Sequence, residues 1–435
     1  MMNHKNMLNV PGNDSLWKEE VPTREFKRIS PSIMRQLGLT KENIKHVDTI
    51  DQLRNDPPNI VIAESTRNIK FVQNWFKEQV LKKKTKYVMG LGVFQQLYHR
   101  DQEKHKILKP SSMRFKNIYR PYLGQDAEGK TLLVFRTGGI GDLLFIQPNL
   151  KYLKSKYDCT IKFACGPQYQ PMVENWDCVD KVVDLPFPSS VLVKSHYHML
   201  FEGVIERCKQ AERDNAYNLF SKWLGLDLPD HMLIPKQEPK QHLIGKCEEL
   251  LSPWTLNFGG DFIVMQLRAS SPIRTPRHEF WIKLINALNK RNINVVLTDN
   301  PRQSDNIQKF INMLDEPLKT FNFCRHSKSI DYTIALTALS SGTIATDSAL
   351  SHIAASLDVP CYGIFGPFPG HIRLKTYPKA AWIDADRHCA PCFIHGHKPC
   401  PQASNDGYSP CYDELINTEE KLNSLIDKIE EHLKK

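Results

Sequence analysis

The sequence predicts an α/β protein with two Rossmann-like parallel-sheet domains facing a cleft, preceded by a basic N-terminal extension or small α/β module. Three observations carry this prediction. From Thr131 onward, short apolar runs alternate with longer amphipathic stretches, the β-turn-α-β pattern of a parallel sheet wrapped by helices. The alternation gives way near residue 186 to a more helical, aromatic-containing stretch, and it restarts at Phe262. Between the two lie Pro229, Pro235 and Pro239, which mark breaks in the chain. The 435 residues also suit roughly three folding units.

Element by element, residues 1–30 are polar and aperiodic and read as an arm. Residues 59–63, 67–81 and 87–93 read as strand, helix and strand, with a lysine cluster at 82–86. Residues 101–130 read as a basic linker. Strands are then expected at 132–135, 160–164 and 181–185, with a helix running to about Tyr157. In the second half the expected strands are 262–267, 293–298, 343–346 and 361–365. The helices between and around them are 279–291, 304–314, 332–339 and 348–357, and an amphipathic helix over 418–433 ends the chain. The expected domains are therefore 1–130, 131–250 and 258–415, the last with a cysteine finger at 389–411, followed by a C-terminal helix at 416–435.

Composition excludes several classes. The chain is 41% hydrophobic and 24% charged, which is ordinary for a globular protein. It lacks an apolar run long enough to span a bilayer. Residues 1–10 are polar without the apolar centre of a signal peptide, so a cytoplasmic protein is expected. The net charge of +10 is unevenly placed: residues 1–130 hold 24 Lys and Arg against 14 Asp and Glu, and the remaining 305 residues hold 34 of each. Such asymmetry suits contact with an anionic partner, a glycan, a nucleic acid or a phospholipid surface, as well as a merely solvated basic face.

Ligands in open parallel sheets bind beyond the carboxyl ends of the strands, so the loops there are the candidate binding segments. Arg136, Gly138, Gly139 and Gly141 form a turn between a strand and a helix, and Asp142 follows at the helix start. The turn is neither a dinucleotide fingerprint nor a P-loop. Asp142 suits two uses that compete for the same lone pairs: capping the first N–H groups, or acting as a general base on an acceptor hydroxyl. A second helix start, Asp347 and Ser348 with His352 one turn on, suits an anion such as a diphosphate. A third loop holds Arg268, Ser270 and Arg274, residue types that suit phosphate oxygens.

In combination these loops resemble the ADP-heptose lipopolysaccharide heptosyltransferases over about residues 131–415. The resemblance rests on the Gly138-Gly139-Ile140-Gly141-Asp142 turn with Pro148 in its helix. It rests equally on Asp347-Ser348-Ala349-Leu350-Ser351-His352, Ala354-Ala355-Ser356-Leu357, Pro360 and Phe365-Gly366-Pro367. It implies a GT-B fold and an inverting transfer from a nucleotide-diphosphate sugar, without a catalytic metal. Asp142 would be the base; Asp347, Ser348, His352 and Arg274 would bind the donor, with Arg268 and Ser270 beside them. The acceptor expected is a lipopolysaccharide core or other glycan, or a protein; two alternatives are a DNA glycosyltransferase acting on hydroxymethylated bases and a non-catalytic nucleic-acid-binding protein on a transferase fold.

Cys389, Cys392, Cys400 and Cys411 fall within 23 residues, whereas the other seven cysteines are scattered singly. A Cys-x₂-Cys pair with two later cysteines suits a closed structural site for zinc or iron, with His388, His395 and His397 as substitute ligands. A similar cluster in protein-modifying relatives resembles an iron-holding finger.

Overall fold

The computed structural model describes residues 120, 122, 124–136, 138–183, 191, 194–201, 204–208, 211–394, 400–403 and 407–434. The expected N-terminal module lies almost wholly outside the described residues, as do His395 and His397. The chain divides into two compact units. One comprises the described residues up to Gly138 with Asn149–Gln210 and Leu219–Asp227; the other comprises Gly139–Pro148, Ala211–Asn218 and Leu228–Lys435.

The first unit is built on four parallel strands, β1 (Thr131–Phe135), β2 (Thr160–Ala164), β3 (Lys181–Val183) and β4 (Tyr197–Leu200), in the order β3-β2-β1-β4. Residues 132–135 are buried, as a central strand covered on both faces requires. β4 stands in a stretch that the sequence marks as helical. Its four residues carry too little alternation to be read alone, and they become a strand by pairing with β1 in register Leu132 to Tyr197. Helix α1 (Ile140–Lys156) follows the glycine turn and contains Pro148, and the boundary between the units falls directly after this proline. Proline has no N–H to give to the helix ladder, so the local pairing is weakest there.

The second unit contains six parallel strands in the order β10-β9-β8-β5-β6-β7. They are β5 (Phe262–Gln266), β6 (Asn294–Leu297), β7 (Thr320–Asn322), β8 (Gly342–Thr346), β9 (Cys361–Phe365) and β10 (Ala380–Asp384). Strand side chains alternate between faces, and two separate cores result. Ile263, Met265, Val295, Leu297 and Ile344 pack with Trp281 and Leu284 of helix α2 (His278–Lys290) and with Ile426 and Ile429 of α3 (Glu419–Leu433). Phe262, Val264, Val296 and Ala345 pack on the other face with Leu251 and Trp254, which belong to the helix Gln241–Phe258. β7 and β10 escape sequence reading because one has three residues and the other is a half-buried edge. No helix among the described residues is long and apolar enough to cross a membrane.

Candidate functional site

Relabelled from β5, the second sheet runs 3-2-1-4-5-6, the doubly wound order whose strand direction of travel reverses between β5 and β8. The loops leaving these two strands carry the two anion-suited motifs, and the fold brings them into contact. Arg274 ends a 3₁₀ turn, Pro272–Arg274, and its Nη1 donates to the Asp347 carboxylate at 3.1 Å and to the Asp347 carbonyl at 2.9 Å. Its Nη2 donates to Ser270 Oγ at 2.7 Å. A second guanidinium completes the arrangement: Arg373 Nε lies 3.3 Å from Asp347 Oδ1. Burial by itself would raise the Asp347 pKa, but Arg373 and Arg274 outweigh it and hold the carboxyl well below the usual carboxylate range.

Asp347 leads into helix α4 (Ala349–Ser356), whose N-cap is Ser348. Ser348 has the extended backbone of an N-cap, φ −142° and ψ 171°, yet its hydroxyl makes no cap hydrogen bond. One turn on, His352 is buried and its Nδ1 lies 2.8 Å from the Tyr377 hydroxyl. Phe145 stands edge-on to the His352 ring, at 4.9 Å between centroids and 79° between planes, and Tyr217 flanks it at 6.1 Å. Burial lowers the His352 pKa to about 4, against the pull of Asp347, so the imidazole is neutral near pH 7.

The glycine turn meets the same histidine. A Cβ on Gly141 would lie 2.9 Å from His352 Cδ2 and 3.4 Å from Nε2, so only glycine lets the first turn of α1 approach this ring. Gly139 has φ +83° and accepts the first helical hydrogen bond, from Leu143 N at 2.9 Å. Asp142 is half-buried, and its Oδ2 lies 2.4 Å from where a Gly139 Cβ would stand, so the carboxylate folds back over the turn. Gly139–Asp142 and the Asp347 helix start, some two hundred residues apart in sequence, are thus neighbours within one compact unit.

The remaining sequence-derived residues divide by role. Arg136 is buried and committed to backbone carbonyls, Nε to Gly138 O at 2.9 Å and Nη1 to Phe201 O at 3.1 Å, so it shapes the turn. Gly138 passes 3.0 Å from the Tyr169 ring, measured from its would-be Cβ. Arg268 is exposed after β5. Its charge acts on Asp299, at the end of β6, whose carboxyl is pushed up by burial and drawn down less strongly by Arg268. Cys389, Cys392, Cys400 and Cys411 all line one pocket, with Ile273 and Gly366. Gly366 leaves room there, since a Cβ would stand 2.8 Å from Cys411 Sγ. The thiols supply suitable donor chemistry, but among the described residues no three His, Cys, Asp or Glu side chains are arranged to hold a metal ion. Sequence reading missed Arg373, Tyr377, Tyr217 and Phe145. Arg373 and Tyr377 follow the Phe365-Gly366-Pro367 strand end, and only their burial against Asp347 and His352 distinguishes them.

Two doubly wound parallel sheets of this kind define a GT-B fold, and the protein is a glycosyltransferase. Residues 210–401 match the family model of glycosyltransferase family 9 (heptosyltransferase), in agreement with the resemblance read from the motifs. Solved structures agree on the fold. The family 9 glycosyl transferase of Veillonella parvula is 12% identical, with a TM-score of 0.51 over 68% of this chain and 98% of that one. ADP-heptose lps heptosyltransferase II of E. coli is 15% identical, with a TM-score of 0.51 over 69% and 99%. The iron-containing dodecameric glycosyltransferase TibC of enterotoxigenic E. coli is 14% identical, with a TM-score of 0.51 over 71% and 78%. No curated protein matches the chain in sequence.

Proposed function

We propose that the protein is an inverting glycosyltransferase that moves a sugar from a nucleotide-diphosphate donor to an acceptor hydroxyl, with Asp142 as general base. The observation that carries this reading is the meeting of the Gly141-Asp142 turn with His352 in the unit that also holds the Arg274–Asp347–Arg373 cluster. In the proposed reaction the acceptor O–H gives its proton to the Asp142 carboxylate as its oxygen bonds to the sugar C1 from the face opposite the leaving group. The bond from C1 to the diphosphate oxygen breaks, and the electron pair leaves with the diphosphate. The N-terminus of α4 and Arg274 stabilise that developing charge, the kind of fixed electrostatic support that usually contributes most to catalysis. His352, neutral and held by Tyr377, supplies a hydrogen-bonding group without adding a competing charge.

The family match makes a nucleotide-activated heptose the first donor to test, and a glycan or protein hydroxyl the first acceptor. The proposal includes a structural zinc or iron on the four clustered cysteines, and no step of the transfer runs through it. Elemental analysis of purified protein tests that part: about one metal per chain, lost in a Cys400→Ser, Cys411→Ser variant, is expected. For the transfer, thermal-shift titration with a panel of nucleoside diphosphates and their sugars comes first, because a ligand of the native state stabilises by RT ln(1 + [L]/Kd). Stabilisation by one nucleotide, and turnover of its sugar abolished in Asp142→Asn, is the expected result. A flat response across the panel would overturn the reading.

A further inference from the structure

Arg373 lies in the short helix His371–Leu374 that follows β9, with its side chain 7% exposed. Its guanidinium stands 5.0 Å over the Phe368 ring, and its Nε faces Asp347 Oδ1. Nη1 is buried and has no hydrogen-bond partner. At the first turn of α4, Ser348 Oγ and Ser351 Oγ are likewise buried and without partners. A buried guanidinium N–H left unpaired is costly, and native proteins rarely keep one without a use.

The charge count points the same way. Arg274 and Arg373 contribute two positive charges, Asp347 one negative charge, and His352 is neutral near pH 7. One positive charge is therefore uncompensated within this cluster, where burial makes it expensive. An oxyanion at the start of α4 would accept from Nη1, offset the charge and lie where the helix dipole favours it. Arginine suits this task because its planar fork can hold Asp347 through one N–H and a phosphate oxygen through another.

We propose that Arg373 is a second phosphate-binding arginine, holding the diphosphate of the donor beside Arg274 while Asp347 orients both guanidiniums. This rests on the donor-site reading above. The competing role for Arg373 is purely structural, as a counter-ion that keeps Asp347 buried.

The test compares a nucleoside diphosphate with its own nucleoside. Wild type, Arg373→Gln and Arg373→Lys are titrated calorimetrically with whichever of ADP, GDP, UDP or CDP binds wild type best, and with the matching nucleoside by competition. Arg373→Gln is expected to lose at least tenfold in diphosphate affinity while nucleoside affinity stays within twofold. Arg373→Lys keeps the charge beside Asp347 and serves if the glutamine variant does not fold; a loss of about threefold to tenfold, again confined to the diphosphate, is expected. Equal losses for diphosphate and nucleoside would mean a structural role and overturn the proposal, as would unchanged diphosphate affinity. Wild type that binds no diphosphate would instead overturn the donor site itself, a distinguishable failure.

Discussion

Replacing Gly141 by alanine asks whether the glycine turn is shaped by His352. In an ordinary helix position the change favours folding by about 0.5–1 kcal/mol, because glycine loses more backbone freedom. Here the new Cβ would stand 2.9 Å from His352 Cδ2, closer than carbon atoms tolerate. The histidine has little room to yield, since Phe145, Tyr217 and Tyr377 surround it and the Tyr377 hydroxyl holds Nδ1 at 2.8 Å. Overpacking of this kind costs about 1–3 kcal/mol, so a net destabilisation of about 1–2 kcal/mol is expected. The informative measurement is the same substitution in a His352→Ala background, by thermal and urea unfolding. With the ring removed the clash disappears, and Gly141→Ala should then be neutral or stabilising. The sign reversal is the signature, because it measures the coupling between two sites in contact. If Gly141→Ala had the same effect in both backgrounds, the contact between the turn and His352 would not constrain the chain, and the site as described would be wrong.

Further expectations follow from the same cluster. Asp142→Asn should lower turnover by about 10²–10⁴-fold with donor binding kept, as loss of a general base does; kcat and donor Kd measured on one preparation check it. Asp347→Ala strands the buried Arg373 guanidinium and the partly buried one of Arg274, and should destabilise by about 3–5 kcal/mol, read by urea unfolding. The His352 pKa is lowered by burial from 6.5 to about 4, so the unfolded chain binds the proton first as pH falls. This group's contribution is fully present above pH 6.5 and is lost between 6.5 and 4, with a slope of up to about 1.4 kcal/mol per pH unit. A His352→Asn variant should lose that part of the pH dependence, and an unchanged slope would count against a buried neutral histidine. Gly366→Ala would place a Cβ 2.8 Å from Cys411 Sγ and should disturb the thiol pocket, checked by the reactivity of the four cysteines toward a thiol reagent.

Local pattern was enough for most of the framework. The strands 132–135 and 361–365 are where the apolar runs stand, because a central parallel strand must be apolar on both faces and announces itself without a partner. The glycine turn and the Asp347 helix start were legible for a related reason: positive φ and helix capping are properties of a few consecutive residues. What sequence could not supply was decided by pairing and packing between distant segments. β4 and β7 are short and become strands only through neighbours in the sheet. Arg274 stands out in the sequence beside Ser270, but Arg373, about a hundred positions on, is an ordinary basic residue there and acquires meaning only where both reach the buried Asp347 carboxylate. Gly141 is legible as part of the turn, but the steric reason for a glycine there is seen only where His352 occupies the space its side chain would fill. Chemistry that depends on one turn is written in the turn; chemistry that depends on burial and mutual charge exists only once the sheet order has brought the loops together.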